Sequence, residues 1–433
     1  MSKPISVIIM GLGNRGAKYA KLMSVDPDHY QVVGIAEPDP ARRDEIRDIF
    51  GLSEDACFTS WREILKQPKM ADLAVIATMD DEHFEPAMMA IELGYNLLLE
   101  KPVAPTADQC AAIANAAKDK GVEVLVCHVL RYAPFYVKVK ELVREGLLGD
   151  IMSVDAVEGV GNIHQSHSYV RGNWHKEADT SPMLLAKSCH DLDIIQWILD
   201  KPCRKIQSFG SLTHFTEKNA PEGSPVSCVN GDCPVREHCP YDCLRIYHKS
   251  TSLHHRRIIT KDIAKTPIPT DDEVLEALKT KDYGLCVYHA HNDVVDHQTV
   301  NMEFEGDTTA TFSMNAFNRG GRYIRLFGTK GELYANASDT AIKVYLYDGK
   351  QKLEYEVPKI EESIVGGHGG GDQGIIQELH QYMSGEYTGF RAANIHTSVR
   401  NHMLCFAAEE ARHNNTVVDV ETYMKKFDLD NHY

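Results

Sequence analysis

The chain has 433 residues, enough for two or three domains of roughly 100–200 residues each. Its 43% apolar and 25% charged residues are ordinary for a folded globular protein and exclude collagen-like, coiled-coil and largely disordered classes. The net charge of −16 gives no bulk attraction to nucleic acid or to anionic membranes, and no apolar run approaches the ~20 residues that span a bilayer. Since the first residues resemble no secretory signal, we expect a cytoplasmic protein.

Residues 1–130 alternate short apolar runs with amphipathic stretches. This alternation predicts a doubly wound parallel sheet with helices on both faces. The predicted strands are Ile5–Met10, Gln31–Ala36, Leu73–Ala77, Asn96–Leu99 and Val122–Cys127. The predicted helices lie near Arg15–Met23, Ala41–Phe50, Trp61–Leu65, His83–Leu93 and Ala107–Lys120.

Residues 131–433 follow a different pattern, in which strands succeed one another with Gly and Asp turns between them. The pattern predicts an α+β domain with a large, mostly antiparallel sheet. Its predicted strands are Ile151–Gly159, Val300–Phe304, Thr308–Met314, Tyr323–Phe327, Glu332–Asn336, Ile342–Tyr347 and Lys352–Val357, and its predicted helices include a single long one at Leu184–Leu199. Residues 215–282 are polar and rich in Cys, His, Lys and Pro, so we interpret them as an insertion.

A glycine-rich loop follows the first predicted strand and opens the first helix. It reads Gly11, Leu12, Gly13, Asn14, Arg15, Gly16, which is the G-x-G-x-x-G pattern of dinucleotide sites. The glycines allow a tight turn, close approach of a pyrophosphate and tight packing of helix against strand, and the helix N-terminus offers free N–H groups to phosphate. We therefore predict a dinucleotide site formed by Gly11, Gly13, Asn14, Arg15 and Gly16.

Glu37 ends the next predicted strand, where a carboxylate accepts hydrogen bonds from the ribose hydroxyls and repels a 2′-phosphate. This favours NAD over NADP. Arg42 and Arg43 lie close enough in sequence to keep NADP as an alternative. Thr78 and His83 follow the third predicted strand, at the sheet edge where ligands bind, and we expect both near the cofactor. A surface histidine at a helix start is an equally good interpretation of His83.

A tripeptide, Glu100-Lys101-Pro102, follows the fourth predicted strand. With the glycine loop and the two-domain pattern, it makes the chain resemble the glucose–fructose oxidoreductase, inositol dehydrogenase and rhizopine-catabolism family, abbreviated Gfo/Idh/MocA. The resemblance covers nearly the whole chain except the insertion. It extends through the segments Arg131–Pro134, Leu148–Ile151, His190–Asp193 and Gly328–Leu333.

The resemblance implies an NAD(P)-dependent oxidoreductase that acts on a carbohydrate-like hydroxyl group. Lys101, beside the nicotinamide, would polarise the reacting oxygen, and His190 would be the general base. Glu100 and Lys101 would also border the cofactor. The related enzymes often carry Asp four residues before the histidine, whereas this chain has Ala186 there. That departure weakens the expectation of the usual proton relay.

Further polar residues around these motifs are candidates for binding the substrate. They are Arg131, Trp174, Lys187, Asp193 and His297. Trp174 could offer a sugar-stacking surface, although tryptophan there is as often plain packing. His297 belongs to a polar run, residues 289–298, with three His and two Asp residues. That run could line a substrate pocket, bind a divalent metal or form a hydrogen-bonded structural turn.

Two further segments lie outside these motifs. The glycine-rich run Gly366–Asp372, which contains His368, is interpreted as a loop over the active site or as a linker. Cys228, Cys233, Cys239 and Cys243 have C-x4-C-x5-C-x3-C spacing, which differs from the C-x2-C of common zinc knuckles. They could hold a structural zinc ion or an iron–sulfur cluster, pair as disulfides, or remain free thiols.

Three functions remain open at this stage. The first is the NAD-dependent oxidoreductase, and the second is a redox-neutral glycosidase that oxidises, eliminates and then reduces at bound NAD. The third is a non-catalytic regulator that responds to a sugar or to NAD. The resemblance also implies a homodimer or homotetramer, with a small carbohydrate-like molecule as the substrate and neither nucleic acid nor membrane as a partner.

Overall fold

The computed structural model describes residues 3–250, 259–266, 269–357 and 368–429. Its first sheet has six parallel strands in the order β3-β2-β1-β4-β5-β6. The strands are β1 (Ile5–Met10), β2 (Tyr30–Ala36), β3 (Cys57–Phe58), β4 (Leu73–Ile76), β5 (Asn96–Leu99) and β6 (Val124–Val126). The helices are α1 (Asn14–Ser24), α2 (Pro40–Phe50), α3 (Trp61–Ile64), α4 (Phe84–Glu92), α5 (Ala107–Lys120) and α6 (Pro134–Arg144).

The second sheet has nine described strands in the order β14-β13-β12-β11-β7-β10-β9-β8-β15, and β7 and β10 form its parallel pair. The strands are β7 (Ile151–Gly159), β8 (Cys203–Ser211), β9 (His297–Phe304), β10 (Thr309–Asn315), β11 (Gly321–Gly328), β12 (Gly331–Asn336), β13 (Ala341–Leu346), β14 (Lys352–Glu356) and β15 (Val418–Asp419). The helices are α7 (Asn162–His164), α8 (Met183–Ala186), α9 (Cys189–Leu199), α10 (Thr260–Ala264), α11 (Asp271–Thr280), α12 (Gly371–Met383), α13 (Ile395–Asn414) and α14 (Val420–Lys425).

The predicted fold class is confirmed: a doubly wound parallel sheet is joined to an α+β part with a mostly antiparallel sheet. The prediction of one long helix at Leu184–Leu199 is wrong. The helix is interrupted at Lys187 and Ser188, between α8 and α9. Ser188 lies outside the helical region, with ψ near 6°. Strand β8 was not predicted from the sequence, because its two charged residues, Arg204 and Lys205, are adjacent and exposed and interrupt a strict apolar alternation.

Helices from the end of the chain return to the first sheet. Ile375, Ile376 and Leu379 of α12 join the apolar core that α1 builds on one face of that sheet. The Tyr30 hydroxyl donates a 2.5 Å hydrogen bond to the Ile376 carbonyl across this contact. Residues of α12, from the C-terminal part of the chain, therefore complete the core on one face of the first sheet. None of the described helices has the length and apolarity needed to cross a membrane.

Candidate active site

The glycine loop between β1 and α1 has the space that a dinucleotide needs. A Cβ on Gly11 would lie 2.5 Å from the Ala77 carbonyl oxygen, and one on Gly16 would lie 1.9 Å from the Gly11 oxygen. These two glycines are therefore required by packing, and Gly11 also has φ near +85°. A Cβ on Gly13 would lie 3.9 Å from its nearest neighbour, the Arg42 side chain, and Gly13 directly precedes the first turn of α1. This space in front of a helix N-terminus suits a phosphate group.

The Glu37 carboxylate lies at the carboxyl end of β2, beside the glycine loop. It is buried, and it accepts from the Leu12 N–H at 2.6 Å and from the Asp39 N–H at 3.0 Å. Because a carboxylate has about four acceptor positions, it retains capacity for a further donor such as a ribose hydroxyl. The Arg43 side chain donates to the Glu37 carbonyl at 2.6 Å.

Thr78 and His83 hold the loop that follows β4. The Thr78 hydroxyl donates to the Glu82 carbonyl at 3.1 Å. The buried ring of His83 contacts the Pro102 carbonyl oxygen at 2.6 Å and the Thr78 carbonyl oxygen at 3.3 Å. These contacts give His83 a definite structural role, because it joins the loop after β4 to the loop that carries Lys101.

A buried ion network joins the glycine loop to the end of β5. Arg15 pairs with Glu100 and with Asp372, each at 2.6 Å, and the Tyr19 hydroxyl donates to Glu100 at 2.5 Å. Burial would raise the pKa of Glu100, but Arg15 and the Tyr19 hydrogen bond hold it below its usual value. His368, the described member of the loop 366–368, also contacts Asp372 at 3.2 Å. Residues 366 and 367 lie outside the described residues.

Lys101 reaches across the cleft to the broken helix. Its Nζ donates to the Ala186 carbonyl at 2.9 Å. Because α8 ends at Ala186, that carbonyl accepts a side chain at the point where the helix breaks. The break that sequence periodicity missed thus brings Lys101 close to the start of α9, where His190 lies.

His190 lies in the first turn of α9 and is almost fully buried, at 4% exposure. Burial lowers its pKa well below the usual range, and the Lys101 charge lowers it further. The ring centroids of His128 and His368 are each 5.9 Å away. Its Nδ1 has no hydrogen-bond partner within the described parts of the chain. At neutral pH His190 is therefore a neutral imidazole, in the form that can accept a proton.

Arg131 and Asp193 form a buried pair beneath this histidine. The guanidinium donates two hydrogen bonds to the carboxylate, at 2.8 and 2.7 Å, and Asn401 donates a third. Burial would raise the pKa of Asp193, but Arg131 holds it below its usual value. His128 Nδ1 lies 3.5 Å from the same carboxylate. Arg131 and Asp193, both predicted to bind substrate, therefore use their hydrogen-bonding groups on each other. Asp193 also contacts His128, whose ring lies against that of His190.

Four charged side chains from β7, the helix break, α9 and β11 meet beside the cleft. Lys187 lies 3.4 Å from Glu158, and Arg322 lies 2.6 Å from Glu158 and 2.8 Å from Asp191. Burial raises the pKa of Asp191, partly offset by Arg322. Burial lowers the pKa of Lys187, partly offset by Glu158. The sequence analysis found only Lys187 of this set.

Trp174 and His164 line the outer side of the same region. The Trp174 indole donates to Asp80 at 2.9 Å, and Tyr169 lies between the two, with ring centroids 6.2 Å from Trp174 and 5.8 Å from His164. His164 was not predicted. Loss of solvation lowers the pKa of His164 well below its usual range, and the positive charge of Lys187 lowers it further, although the residue is partly exposed to solvent. A lone histidine in an irregular segment gives no local sequence signal.

The polar run 289–298 does not gather into one site. Asp296 is fully buried and accepts from the Thr213 and His214 N–H groups at 2.9 and 2.6 Å, while His297 contacts its other oxygen at 2.7 Å. The Asp293 carboxylate instead accepts a hydrogen bond from the Glu177 N–H at 2.8 Å. In the described part of the chain, no group of potential metal ligands includes these residues. Each therefore has a structural partner of its own.

The cysteine run lies around a separate cavity. Three of the four predicted ligands, Cys228, Cys233 and Cys239, line it. Cys243 lies behind Cys228 in an apolar cluster, and its N–H donates to the Cys228 sulfur at 3.5 Å. Cys286 also lines the cavity. It was not predicted from the sequence because it lies far along the chain from the other cysteines.

Comparisons with known proteins agree with this architecture. Residues 5–128 match the model "Oxidoreductase family, NAD-binding Rossmann fold" (Gfo/Idh/MocA), and residues 140–420 match the C-terminal alpha/beta domain of the same family. The oxidoreductase YteT of Bacillus subtilis (strain 168) is 26% identical over 86% of this chain and 88% of its own length. The inositol 2-dehydrogenase/D-chiro-inositol 3-dehydrogenase of Lactiplantibacillus plantarum is 24% identical over 46% of this chain and 54% of its own.

Among solved structures, an oxidoreductase from Agrobacterium radiobacter in complex with NAD+, L-tartaric acid and magnesium has the same fold. The TM-score is 0.68 at 13% identity, and the match covers 97% of this chain and 99% of the other. The family matches together span most of the chain. The protein therefore belongs to the Gfo/Idh/MocA family and is an NAD(P)-dependent oxidoreductase.

Proposed function

We propose that this protein uses NAD to oxidise, or in reverse to form, a hydroxyl group of a sugar, cyclitol or glycoside. Lys101 polarises the reacting oxygen, and His190 is the general base. The observation that carries the proposal is the Lys101 side chain, which extends from the carboxyl edge of the first sheet to the Ala186 carbonyl, four residues before the buried His190 whose pKa its charge lowers. The dehydrogenase names of relatives support the substrate class.

The residues around the glycine loop fit a dinucleotide. Gly13 leaves an open cradle in front of the α1 N-terminus, and Glu37 keeps acceptor capacity at the end of β2. Asn14, Arg15, Thr78 and Glu100 border this cradle or the adjacent loops. A nicotinamide cofactor bound there supplies the hydride acceptor.

The two catalytic residues divide the remaining work. As the O–H bond of the substrate breaks, the Lys101 ammonium stabilises the negative charge that develops on oxygen. His190 accepts the proton, which it can do at neutral pH because burial and Lys101 disfavour its charged form. Low solvent access strengthens both interactions.

Selection between the two nicotinamide cofactors falls to Glu37. A carboxylate at this position repels a 2′-phosphate, so we propose a preference for NAD over NADP. Arg43 donates to the Glu37 carbonyl at 2.6 Å, and Arg42 lies 3.9 Å from the position of a Cβ on Gly13 and 3.9 Å from the Asp39 carboxylate. Arg42 and Arg43 are thus the cations nearest to a 2′-phosphate once the Glu37 charge is removed.

The substrate would lie against Trp174, Lys187 and His164. The indole offers an apolar face and contacts the Tyr169 ring, which also contacts His164, and the Lys187 charge acts on His164. We assign Arg131 and Asp193 a supporting role beneath His190, because each satisfies the other. His297, held by Asp296, is kept as a peripheral candidate.

The testing experiment incubates purified protein with free sugars, cyclitols and chromogenic glycosides, first without added cofactor and then with NAD+. NADH absorbance and leaving-group release are followed together. The proposal expects NADH only when NAD+ is added. Leaving-group release without net NADH would instead identify redox-neutral glycoside cleavage, and NAD binding without turnover of any compound would point to a regulator.

We further propose a division of the chain near residue 130, with the cofactor part before it and the substrate part after it. We also propose a homodimer or homotetramer formed through the outer face of the second sheet. Phe209, Tyr323 and Tyr334 on β8, β11 and β12 are exposed by 56%, 39% and 38%. Side chains of this size at a sheet surface favour association. Scattering or sedimentation of Tyr323→Lys against the parent chain tests it, because a monomer is expected only for the variant.

A further inference from the structure

The cavity beside the insertion is bordered by four cysteines from two distant segments. Cys228, Cys233 and Cys239 come from the insertion, and Cys286 comes from the segment after α11. The cavity volume is about 390 Å³, including the space at its mouth. No disulfide forms among them. A single chamber lined by four thiols has the donor set of a soft metal centre.

The protein holds the two cysteine segments together through main-chain contacts. The Cys228 N–H donates to the Gly284 carbonyl at 2.8 Å, and the Cys286 N–H donates to the Val226 carbonyl, also at 2.8 Å. Between them, Ser227 and Leu285 form an antiparallel bridge. Cys286 is thus placed opposite the insertion by backbone pairing, independently of any sulfur–sulfur contact.

Arg236 fixes the loop that carries the other cysteines. Its guanidinium donates to the Cys228 and Gly231 carbonyls, both at 2.7 Å. Pro234 and Pro240 follow two of the cysteines directly and restrict the backbone there. The rim of the cavity is therefore ordered by main-chain and guanidinium contacts. The Cys228 sulfur also has protein partners, the Cys243 N–H at 3.5 Å and the Asp242 carboxylate at 3.7 Å.

A buried cation faces the same chamber. Arg171 is 2% exposed, and it donates to the Leu285 carbonyl at 2.8 Å and the Tyr241 carbonyl at 2.7 Å. Among the described side chains, no carboxylate lies within ion-pair distance of it. A buried guanidinium without an anion is costly, and thiolates bound to a metal would supply the missing negative charge.

The spacing of the sulfur atoms separates two kinds of centre. Tetrahedral zinc with bonds of about 2.3 Å needs ligand sulfurs only about 3.8 Å apart. Within the described residues the compact group here is Cys228, Asp242 and Cys243, whose donor atoms lie within 4.8 Å of one another, and Cys233, Cys239 and Cys286 are not part of it. The cavity-lining thiols that the structure describes therefore do not gather into a group as tight as tetrahedral zinc requires.

The compact group is poorly suited to a metal of its own. Asp242 already accepts the Leu244 N–H at 3.1 Å and lies 3.4 Å from Arg236. Cys243 is fully buried among apolar side chains. Its N–H points to the Cys228 sulfur, which is the kind of hydrogen bond that stabilises a cluster-ligating thiolate.

From this geometry we infer that Cys228, Cys233, Cys239 and Cys286 ligate an iron–sulfur cluster of the [4Fe–4S] type. Each thiol loses its proton to solvent on binding, and the four thiolates complete the coordination of the four irons. The cluster has a structural role: it ties the insertion to Arg171, which lies in the same segment as Trp174 of the cleft. The inference goes beyond the proposed function and does not depend on it.

The test measures the metal and sulfide content of protein purified without oxygen from iron-supplied cells. We expect about four iron and about four acid-labile sulfide per chain, with the visible absorbance of such clusters. Cys286→Ser and Cys239→Ser should lose both. The matched controls Cys243→Ser and Cys57→Ser should retain both, since neither residue lines the cavity. NAD titration of every variant checks folding independently of metal and of turnover.

Three results would overturn the inference. The first is one zinc and no sulfide per chain. The second is loss of iron from Cys243→Ser with retention in Cys286→Ser. The third is a parent chain that takes up no iron after anaerobic incubation with Fe²⁺, Fe³⁺ and sulfide. Because the content of the parent chain decides the matter, the test stands even if a variant fails to fold.

Discussion

The two walls of the cleft differ in how their polar groups are used. On the cofactor side, Glu37, Arg15 and Glu100 are satisfied by short contacts within the protein. On the proposed catalytic side, Lys101 donates to a main-chain carbonyl, and His190 has a ring nitrogen without a partner among the described residues. The polar groups on the cofactor side therefore stabilise the local structure, whereas those on the proposed catalytic side keep capacity to contact a substrate.

This difference predicts how each wall responds to mutation. Removing a partner on the cofactor side exposes a buried charge and should reduce stability. Removing a group on the catalytic side should spare stability and reduce turnover.

The largest effect on stability is expected for Glu100→Ala. It leaves Arg15 without its 2.6 Å partner in a mostly buried site, so we expect a loss of about 3 kcal/mol of unfolding free energy, the lower end for a broken buried pair because Asp372 remains. Glu332→Ala is the control, since its pair with Arg325 is exposed and should cost only about 0–1 kcal/mol. Urea unfolding measures both. Equal losses of unfolding free energy in the two variants would mean that the buried pair contributes no more to stability than the exposed pair.

Lys101→Met should leave the fold intact and lower kcat/KM by about 10²–10³-fold, the usual cost of removing one donor that stabilises developing negative charge. It loses one hydrogen bond, to the Ala186 carbonyl. Steady-state kinetics with the substrate found in the panel measure the effect. Lys138→Met, a partly exposed lysine paired with Glu141, should match the parent chain. Turnover unaffected by Lys101→Met would remove this residue from the mechanism.

A smaller effect is expected on the choice of cofactor. Glu37→Gln removes the charge that opposes a 2′-phosphate while keeping an acceptor for the Leu12 N–H. The ratio of kcat/KM for NAD over NADP should fall by about tenfold or more, equivalent to at least ~1.4 kcal/mol. Glu45→Gln, on the exposed side of α2, is the control. An unchanged ratio would show that Glu37 serves only the loop.

The smallest effect concerns acid stability. Burial lowers the pKa of His402 to about 3 and that of His128 to about 4, so the unfolded chain binds more protons below its ordinary value of about 6.5. Unfolding free energy should therefore fall as the pH drops below about 6.5, by up to ~1.4 kcal/mol per pH unit for each histidine. His402→Gln should make this slope shallower by about one proton, whereas the exposed His413→Gln should not. Parallel slopes in unfolding series would refute the assignment.

Local signals made the first sheet predictable. Strands β1 and β5 and helix α5 begin and end where their apolar periods predict. The two-residue strand β3 is too short to have a period. The break between α8 and α9 was missed because the residues around it, including Ala186, are buried and favour a helix. Only tertiary contacts, such as that of Lys101 with the freed carbonyl, specify such a break.

The same contrast applies to the site. The glycine loop and Glu37 were readable because a dinucleotide needs fixed residue types at fixed spacings. Arg322, Glu158 and Cys286 lie on distant elements and meet partners only through the fold, so no spacing reveals them. Residues that bind by backbone geometry can be predicted from sequence, whereas charges assembled across the cleft cannot.

The central claim is most directly tested with His190→Gln. NAD+ affinity is measured by titration, and kcat/KM is measured as a function of pH. We predict unchanged affinity and a loss of turnover of about 10²–10⁴-fold. In the parent chain, activity should stay flat through neutral pH, with an acid limb well below about 6.5, because burial and Lys101 lower the pKa of His190. Retained turnover with the same acid limb in the variant would contradict the account.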